Sequence, residues 1–395
     1  MFKHLLKLIW NKKKQNSLLI SEILFSFMVI FAVFTFGVYA WDNYKQPMGM
    51  DYENVWAVNF SNVAKPTDAD SLALFYETVK RNVKSLSEVS EVTYLSVNIP
   101  FSDNTINSGF DLNGKHISGI NLFTVEESYQ ETLNTKMVEG RWYNKQDVLP
   151  GRRVVVINRA LKEKAFGSSS AVGKFFGADD DQKNRMKVIG VIENTKFNGD
   201  YQQPALAMYH RMDTSFNREL GNMLIKLRPS AGAAFESRLY KKLANSLENA
   251  NIEIEHLSNK RQSINKMTLV PMIILSIVAA FLMINVALGL FGVLWYNINK
   301  RRGEIGLRRA VGATGTGVSW QIVGEALILA TFSMIIGSFF AVQFPLMNVF
   351  DLPSMVYIIA LVLSVLFIYI LVFICSIYPG KQAAAIYPAV ALHEE

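Results

Sequence analysis

Four apolar runs decide what this chain can fold into. They cover residues 18–41, 268–296, 320–346 and 355–378. Each is long enough to cross about 30 Å of hydrocarbon, which takes about 20 helical residues. Between the first and second runs lie residues 42–266, mostly polar and long enough for a core of their own. The fold class is therefore a membrane protein: four transmembrane α-helices, with a large α+β extracytoplasmic domain between the first and second.

Charge gives the orientation. The formal net charge of +7 hints at nucleic acid until it is sorted by segment. Residues 42–266 carry 29 basic and 27 acidic side chains and are near neutral. The other eleven basic residues are Lys3, Lys7, Lys12, Lys13, Lys14, Lys300, Arg301, Arg302, Arg308, Arg309 and Lys381. They crowd the N-terminal segment 1–17, the loop 297–319 and the tail 379–395. Short loops rich in Lys and Arg stay in the cytoplasm. Both termini and the 297–319 loop are thus expected on the cytoplasmic side of the membrane and residues 42–266 outside, with lipid rather than nucleic acid as the charged partner.

Cys375 is the single cysteine, within the fourth run. It allows neither an intrachain disulfide nor a cysteine-based metal or redox site. The first run has a basic leader, and Val38-Tyr39-Ala40 resembles a cleavage site. Its length exceeds a signal core, so it reads as an uncleaved anchor. Ahead of it, Phe2, Leu5, Leu6, Ile9 and Trp10 share one helical face. That suits either an amphipathic helix in the inner interface or a leader that only sets topology.

In the outer segment, 55–60, 92–97, 154–157, 186–192 and 223–227 read as strands. Residues 68–86 and 231–250 read as helices. A further strand follows at 248–255, and 257–266 runs toward the second span. Strand–helix–strand order at both ends suggests two lobes, about 42–100 and 201–266, around a β-richer insertion of about 101–200. Pro271 is expected in the first turn of span two, where a missing N–H costs little. Pro345 and Pro379 fall near the ends of spans three and four. Ser333, Gly337 and Ala341 repeat every four residues along span three. Small residues at this spacing allow close helix approach, to a span of the same chain or of a second copy. Glu22 and Glu325 lie near the cytoplasmic ends of their runs, where a structural ion pair with Arg308 or Arg309 is expected rather than a proton relay.

Catalytic motifs do not emerge. Residues 109–116, GFDLNGKH, fit G-x-x-x-x-G-K, but His116 stands where Ser or Thr would hold Mg²⁺, and the surroundings read as a hairpin. His4, His116, His210, His256 and His393 are scattered. Asp179, Asp180 and Asp181 lack the spacing of a calcium loop and read as a solvated turn.

The inference rests on residues 300–314. Glu304 and Arg308 are four apart in the favourable helical order. Gly306 and Ala310, also four apart, make a small face that would seat closely against another protein. Arg301, Arg302, Arg308 and Arg309 offer bidentate donors to carboxylates. The bland alternative is a topogenic loop that touches only headgroups.

Residues 299–325, NKRRGEIGLRRAVGATGTGVSWQIVGE, resemble the signature loop and third span of the MacB/FtsX-type (type VII) ABC transporter permeases. The resemblance continues through Tyr378-Pro379-Gly380-Lys381-Gln382-Ala383-Ala384 and Tyr387-Pro388-Ala389-Val390-Ala391-Leu392. In the outer segment, Gly140-Arg141-Trp142, Val154-Val155-Val156-Ile157-Asn158, Phe166-Gly167, Val172-Gly173-Lys174 and Val188-Ile189-Gly190-Val191-Ile192 resemble the MacB-type periplasmic core domain.

This resemblance implies a non-catalytic permease subunit in a bacterial cytoplasmic (inner) membrane. Its coupling helix, within about 301–313, would dock an ABC ATPase through Arg301, Arg302, Glu304, Ile305, Gly306, Leu307, Arg308, Arg309 and Gly312. Movement would pass to the outer domain, whose lobes would be porter-like, a process called mechanotransmission. No cofactor is expected on this chain: ATP and Mg²⁺ belong to the ATPase. MacB itself carries that ATPase ahead of span one, whereas this chain starts close to span one, so the ATPase is expected in trans. Other implied partners are a second permease copy or paralogue, a periplasmic adaptor and an outer-membrane channel. Export of a substrate such as a peptide or antibiotic leads. Lipoprotein extraction or FtsX-like control of an extracytoplasmic cell-wall enzyme are the alternatives, and a sensor without an ATPase is a third.

Overall fold

The computed structural model describes residues 13–387 apart from 97, 104, 113–114, 148–152, 178–184, 213–219 and 230. The amphipathic face of residues 2–10, His4, the aspartates 179–181, the motif at 388–392 and His393 lie outside the described residues. In chain order, α1 (Lys13–Tyr44) precedes β1 (Val55–Ser61), α2 (Ala69–Lys84), β2 (Val89–Ser96), β3 (Asn107–Leu112) and β4 (Lys115–Val125). Next come α3 (Tyr129–Leu133), β5 (Met137–Gly140), β6 (Arg153–Asn158), α4 (Arg159–Phe166), β7 (Phe175–Phe176), β8 (Met186–Ile192), β9 (Ala207–Arg211) and β10 (Asn222–Leu227). The chain ends with α5 (Ala233–Ser246), β11 (Asn251–His256), α6 (Leu257–Lys300), α7 (Arg302–Ala310), α8 (Gly315–Leu346) and α9 (Ser354–Ala384). Contacts divide it into two units, residues 43–268 and residues 1–42 with 269–395.

In the outer unit the two strand–helix–strand pieces are not separate lobes. β1 lies between β10 and β11, and β10 between β1 and β2, all antiparallel. Strands of one piece alternate with strands of the other, so neither piece has a sheet alone. The period-2 pattern sends Trp56, Val58 and Phe60 to the face that α2 and α5 cover. Leu72, Tyr76, Val79 and Val83 of α2 and Phe235, Leu239 and Leu243 of α5 recur at helical spacing and fill that face. Val55, Ala57, Leu95 and Leu224 feed a second core on the opposite face. Covered on both sides, these strands read as continuous apolar runs rather than strict alternations.

The insertion has a core of its own around Ile120, Val155, Ile157, Leu161 and Phe176, and among the described residues it joins the sheet only through the pairs Leu95–Val125 and Ser96–Thr124. It prolongs the same sheet through β2-β4-β9-β6-β8-β5, with β3 paired to β4 and β7 to β8. It therefore runs beyond the expected limit of 200 and includes β9, which lies parallel to β4 and antiparallel to β6. The G-x-x-x-x-G-K match falls on the β3–β4 hairpin, where Leu112 pairs with Lys115. No helix starts there to face a phosphate.

Among the described residues four helices are long and apolar enough to cross a membrane, α1, α6, α8 and α9, and most of each lies in the other unit. Leu19, Ile23 and Phe27 of α1, Ala326 and Ala330 of α8, and Ala360, Ile368 and Val372 of α9 share one core. Ser333, Gly337 and Ala341 are buried inside the chain. A Cβ at Gly337 would lie 2.4 Å from the Phe27 ring, so this stripe seats α1 of the same chain. On α6, Ile273, Ile277, Phe281, Ile284 and Leu288 remain exposed, as suits lipid. Pro271 is not in a first turn: α6 starts at Leu257, which puts the proline in the helix interior. Its ring denies the Met267 carbonyl a donor.

Two measurable consequences follow from this packing. Gly337→Leu drives a branched side chain into Phe27 and should cost about 1–3 kcal/mol, read as a lower melting temperature in detergent, with partial recovery when Phe27→Ala is added. Separately, the Nε2 of His210 is buried without a partner among the described residues. Burial first, then Arg153, pushes this imidazole from 6.5 down to about 4. The unfolded chain therefore takes the proton first. The stability held by neutral His210 is complete above pH 6.5 and is lost as pH falls toward 4, by up to about 3 kcal/mol. His210→Gln should flatten that part of the stability–pH curve; an unchanged slope would assign it to other groups.

Candidate functional site

The basic loop folds into α7, set between the last residue of α6 and the start of α8. Its C-terminal end and the start of α8 are locally encoded. At its C-terminus Ala313 N bonds Arg308 O at 3.0 Å and Gly312 N bonds Arg309 O at 3.2 Å. This double closure needs a left-handed residue, and Gly312 sits at φ 101°. Thr314 then caps α8, its Oγ1 accepting from Gly317 N at 3.2 Å.

The charges close into a ring. Arg301 Nε donates to Glu304 at 3.0 Å. Glu304 accepts from Arg308 at 2.5 Å, and Arg308 donates to Gln321 Oε1 at 2.9 Å. Gln321 Nε2 donates to Glu325 at 3.1 Å, and both Glu325 oxygens accept from Arg301 at 3.2 Å. The ring bolts α7 to α8. Burial works against the Arg301 charge, but Glu304 and Glu325 outweigh it and hold the guanidinium above its ordinary value. Arg309 leaves the ring and donates to Ala384 O at 2.7 Å. It thereby satisfies a carbonyl in the last turn of α9, where a cation is favoured.

Three expectations change here. Glu325 pairs with Arg301 rather than with Arg308 or Arg309, because it lies on the α8 face turned to the start of α7. Glu22 packs against α6 at Gly289, where a Cβ would fall 2.6 Å from Oε2. Arg301, Arg308 and Arg309 are engaged inside the chain. Ile305 and Gly306 are buried against this chain's own helices, whereas Ala310, the other half of the expected small face, is exposed. Arg302 is half-buried, and Glu304 and Gly312 are exposed. The large apolar side chains left outward are Leu307 on α7, 55% exposed, and Val311 just past its end, 83% exposed, one turn apart. Val311, Gln321 and the role of Glu325 in the ring escaped the sequence reading. Two apolar residues four apart in a basic loop were the available signal for the outward face.

In the outer unit a cleft of about 460 Å³ is lined by Phe101, Asp103, Glu236, His256, Lys260 and Met267 among others. Glu236 lies 3.1 Å from His256, and Glu255 is paired with Lys260 at 2.6 Å. Among the described residues no group of three or more His, Cys, Asp or Glu is placed to hold a metal.

Residues 18–239 match the MacB-like periplasmic core domain, and residues 276–388 match the FtsX-like permease C-terminal region. A macrolide export ATP-binding/permease protein MacB from Aggregatibacter actinomycetemcomitans is 24% identical over 65% of this chain and 40% of its own length. The chain thus spans about two fifths of that relative. An uncharacterized ABC transporter permease, YvrN of Bacillus subtilis (strain 168), is 23% identical over 71% of both chains. Among solved structures, the periplasmic region of MacB from Actinobacillus actinomycetemcomitans aligns with a TM-score of 0.39 at 17% identity. That alignment covers 57% of this chain and 98% of the other.

The α7 terminus predicts its own test. A Cβ at Gly312 meets nothing within 4 Å, so Gly312→Ala costs only the left-handed backbone, about 1 kcal/mol. Hydrogen exchange of the α7 amides should rise by roughly fivefold at that cost, while the four spans keep their protection.

Proposed function

The chain belongs to the MacB/FtsX-like permease family, and from that premise we propose that it couples ATP hydrolysis on a partner ATPase to movement of its outer domain. The observation that carries this reading is the outward face of α7. An exposed Leu307–Val311 pair on a charged loop is a surface that favours a partner's apolar socket. The ring behind it makes α7 a stiff piston. A push on Leu307 is delivered through Glu304, Arg308 and Gln321 to α8, and through Arg309 to α9.

ATP and Mg²⁺ reside on the partner, and this chain contributes position rather than chemistry. The membrane is a bacterial inner membrane with both termini and α7 on the cytoplasmic side, as the basic residues favour. Movement reaches the outer domain by mechanotransmission, and the work is export of an extracytoplasmic substrate such as a peptide or antibiotic. Support for export comes from relatives whose names describe macrolide export. A second permease copy or paralogue completes the assembly, as the family resemblance implies, with a periplasmic adaptor and an outer-membrane channel as further members.

Mild-detergent purification with mass spectrometry of stoichiometric partners tests the reading. Wild type should retain an ABC ATPase. Leu307→Asp with Val311→Asp should insert normally but bind it roughly two to three orders of magnitude more weakly, at about 2 kcal/mol per lost anchor. An ATPase that stays bound to the double variant would place docking elsewhere; a cell-wall hydrolase in its stead would favour the regulatory alternative.

A further inference from the structure

The outer unit contains a buried charged cluster that neither the sheet nor the cleft accounts for. Lys196 is 2% exposed. Its Nζ donates to Asn43 O at 2.5 Å and to Gln46 O at 3.2 Å. Asn43 lies in the last turn of α1, where unsatisfied carbonyls attract a cation. Four residues on, Asp200 is 5% exposed and faces the other end of the unit. It accepts a two-pronged pair from Arg261 at 2.9 and 2.7 Å, and a third bond from Asn265 Nδ2 at 2.7 Å. Asn265 returns the contact by accepting from Asp200 N at 2.9 Å. Arg261 also donates to the Tyr52 hydroxyl at 2.7 Å and lies 4.4 Å from the centre of that ring. Between the two charged residues, Gly199 takes φ 98°. A Cβ there would fall 2.7 Å from Asn265 Oδ1, so the turn closes only with glycine.

One short segment thus grips residues 43–46 with one side chain and residues 261–265 with another. These are the two stretches by which the chain enters and leaves the outer unit. The second belongs to α6, which is continuous from Leu257 to Lys300. A buried charge on each side is costly unless paired, so opening either grip leaves a buried ion without its partners. Sheet packing alone would not require it, since an apolar segment would fill the same space.

We propose that residues 196–200 form a clasp that makes the two attached ends move as one. Lys196, Asp200 and Arg261 are then positioning residues for the coupling described above, on which this inference rests. With the clasp closed, a displacement entering through α6 is shared with the end of α1. With it open, each end yields separately and the sheet stays at rest.

The test uses the full chain with its partner ATPase in lipid nanodiscs. ATP turnover and hydrogen–deuterium exchange of β1, β10 and residues 196–201 are followed with and without ATP. Lys196→Met and Asp200→Asn keep the side-chain volumes. Each should leave turnover within roughly twofold of wild type, yet shrink the ATP-dependent exchange difference in β1 and β10 by roughly fivefold or more. Arg261→Lys keeps the charge but not the fork, and should give an intermediate loss, so it provides the reading if a neutralised variant does not fold. A purely structural role would raise exchange equally with and without ATP, leaving the difference intact. That outcome overturns the clasp alone. A wild-type chain whose outer domain shows no ATP-dependent difference overturns the coupling reading beneath it.

Discussion

Hydrocarbon offers the backbone no hydrogen-bonding partner, and everything else in this molecule is arranged around that fact. Each membrane run has to close its own bonds as a helix, and charged groups are pressed to the ends where water begins. Irregular backbone and fixed charge therefore meet only at the junctions. The ring of Arg301, Glu304, Arg308, Gln321 and Glu325 is at one junction, and the Lys196–Asp200–Arg261 cluster is in the outer unit. Helices between such points can carry displacement but little chemistry, in keeping with the coupling role proposed above.

The two charged clusters differ in kind. Ring members are half-buried or exposed, so each pair contributes little to stability. Their value is geometric. Five side chains bonded in a closed circuit define one orientation of α7 against α8, and they consume the arginines that a partner's carboxylates would otherwise have found. The large apolar side chains that remain outward are Leu307 and Val311. In the outer unit Lys196 and Asp200 are almost fully buried, so their partners are obligatory rather than optional.

The sheet repeats the same economy. Interleaving β1–α2–β2 with β10–α5–β11 means that the first and last strands of the unit are neighbours, since β1 pairs with β11 across six positions. The two chain ends are brought together by strand pairing, and the segment at 196–200 has only a short gap to close. The insertion then lengthens the sheet without disturbing that edge.

Local information was enough for much of this. Run length identified the four spans, basic-residue placement gave a topology, and Gly312 with Thr314 marked where α7 stops and α8 starts. Period-2 and period-3.6 patterns located β1, β8, β10, α2 and α5, because each depends on neighbours a few residues away. The sequence by itself therefore determined the membrane class, the short basic helix between the second and third spans, and the family. Tertiary structure alone decided that the two outer lobes are one sheet, that Glu325 takes Arg301, that Gly306 turns inward and Val311 outward, and that Gly337 receives Phe27. Those outcomes depend on which faces meet across distances of tens to hundreds of residues. No periodicity records that choice, because a buried small residue and a lipid-facing one are written with the same letters.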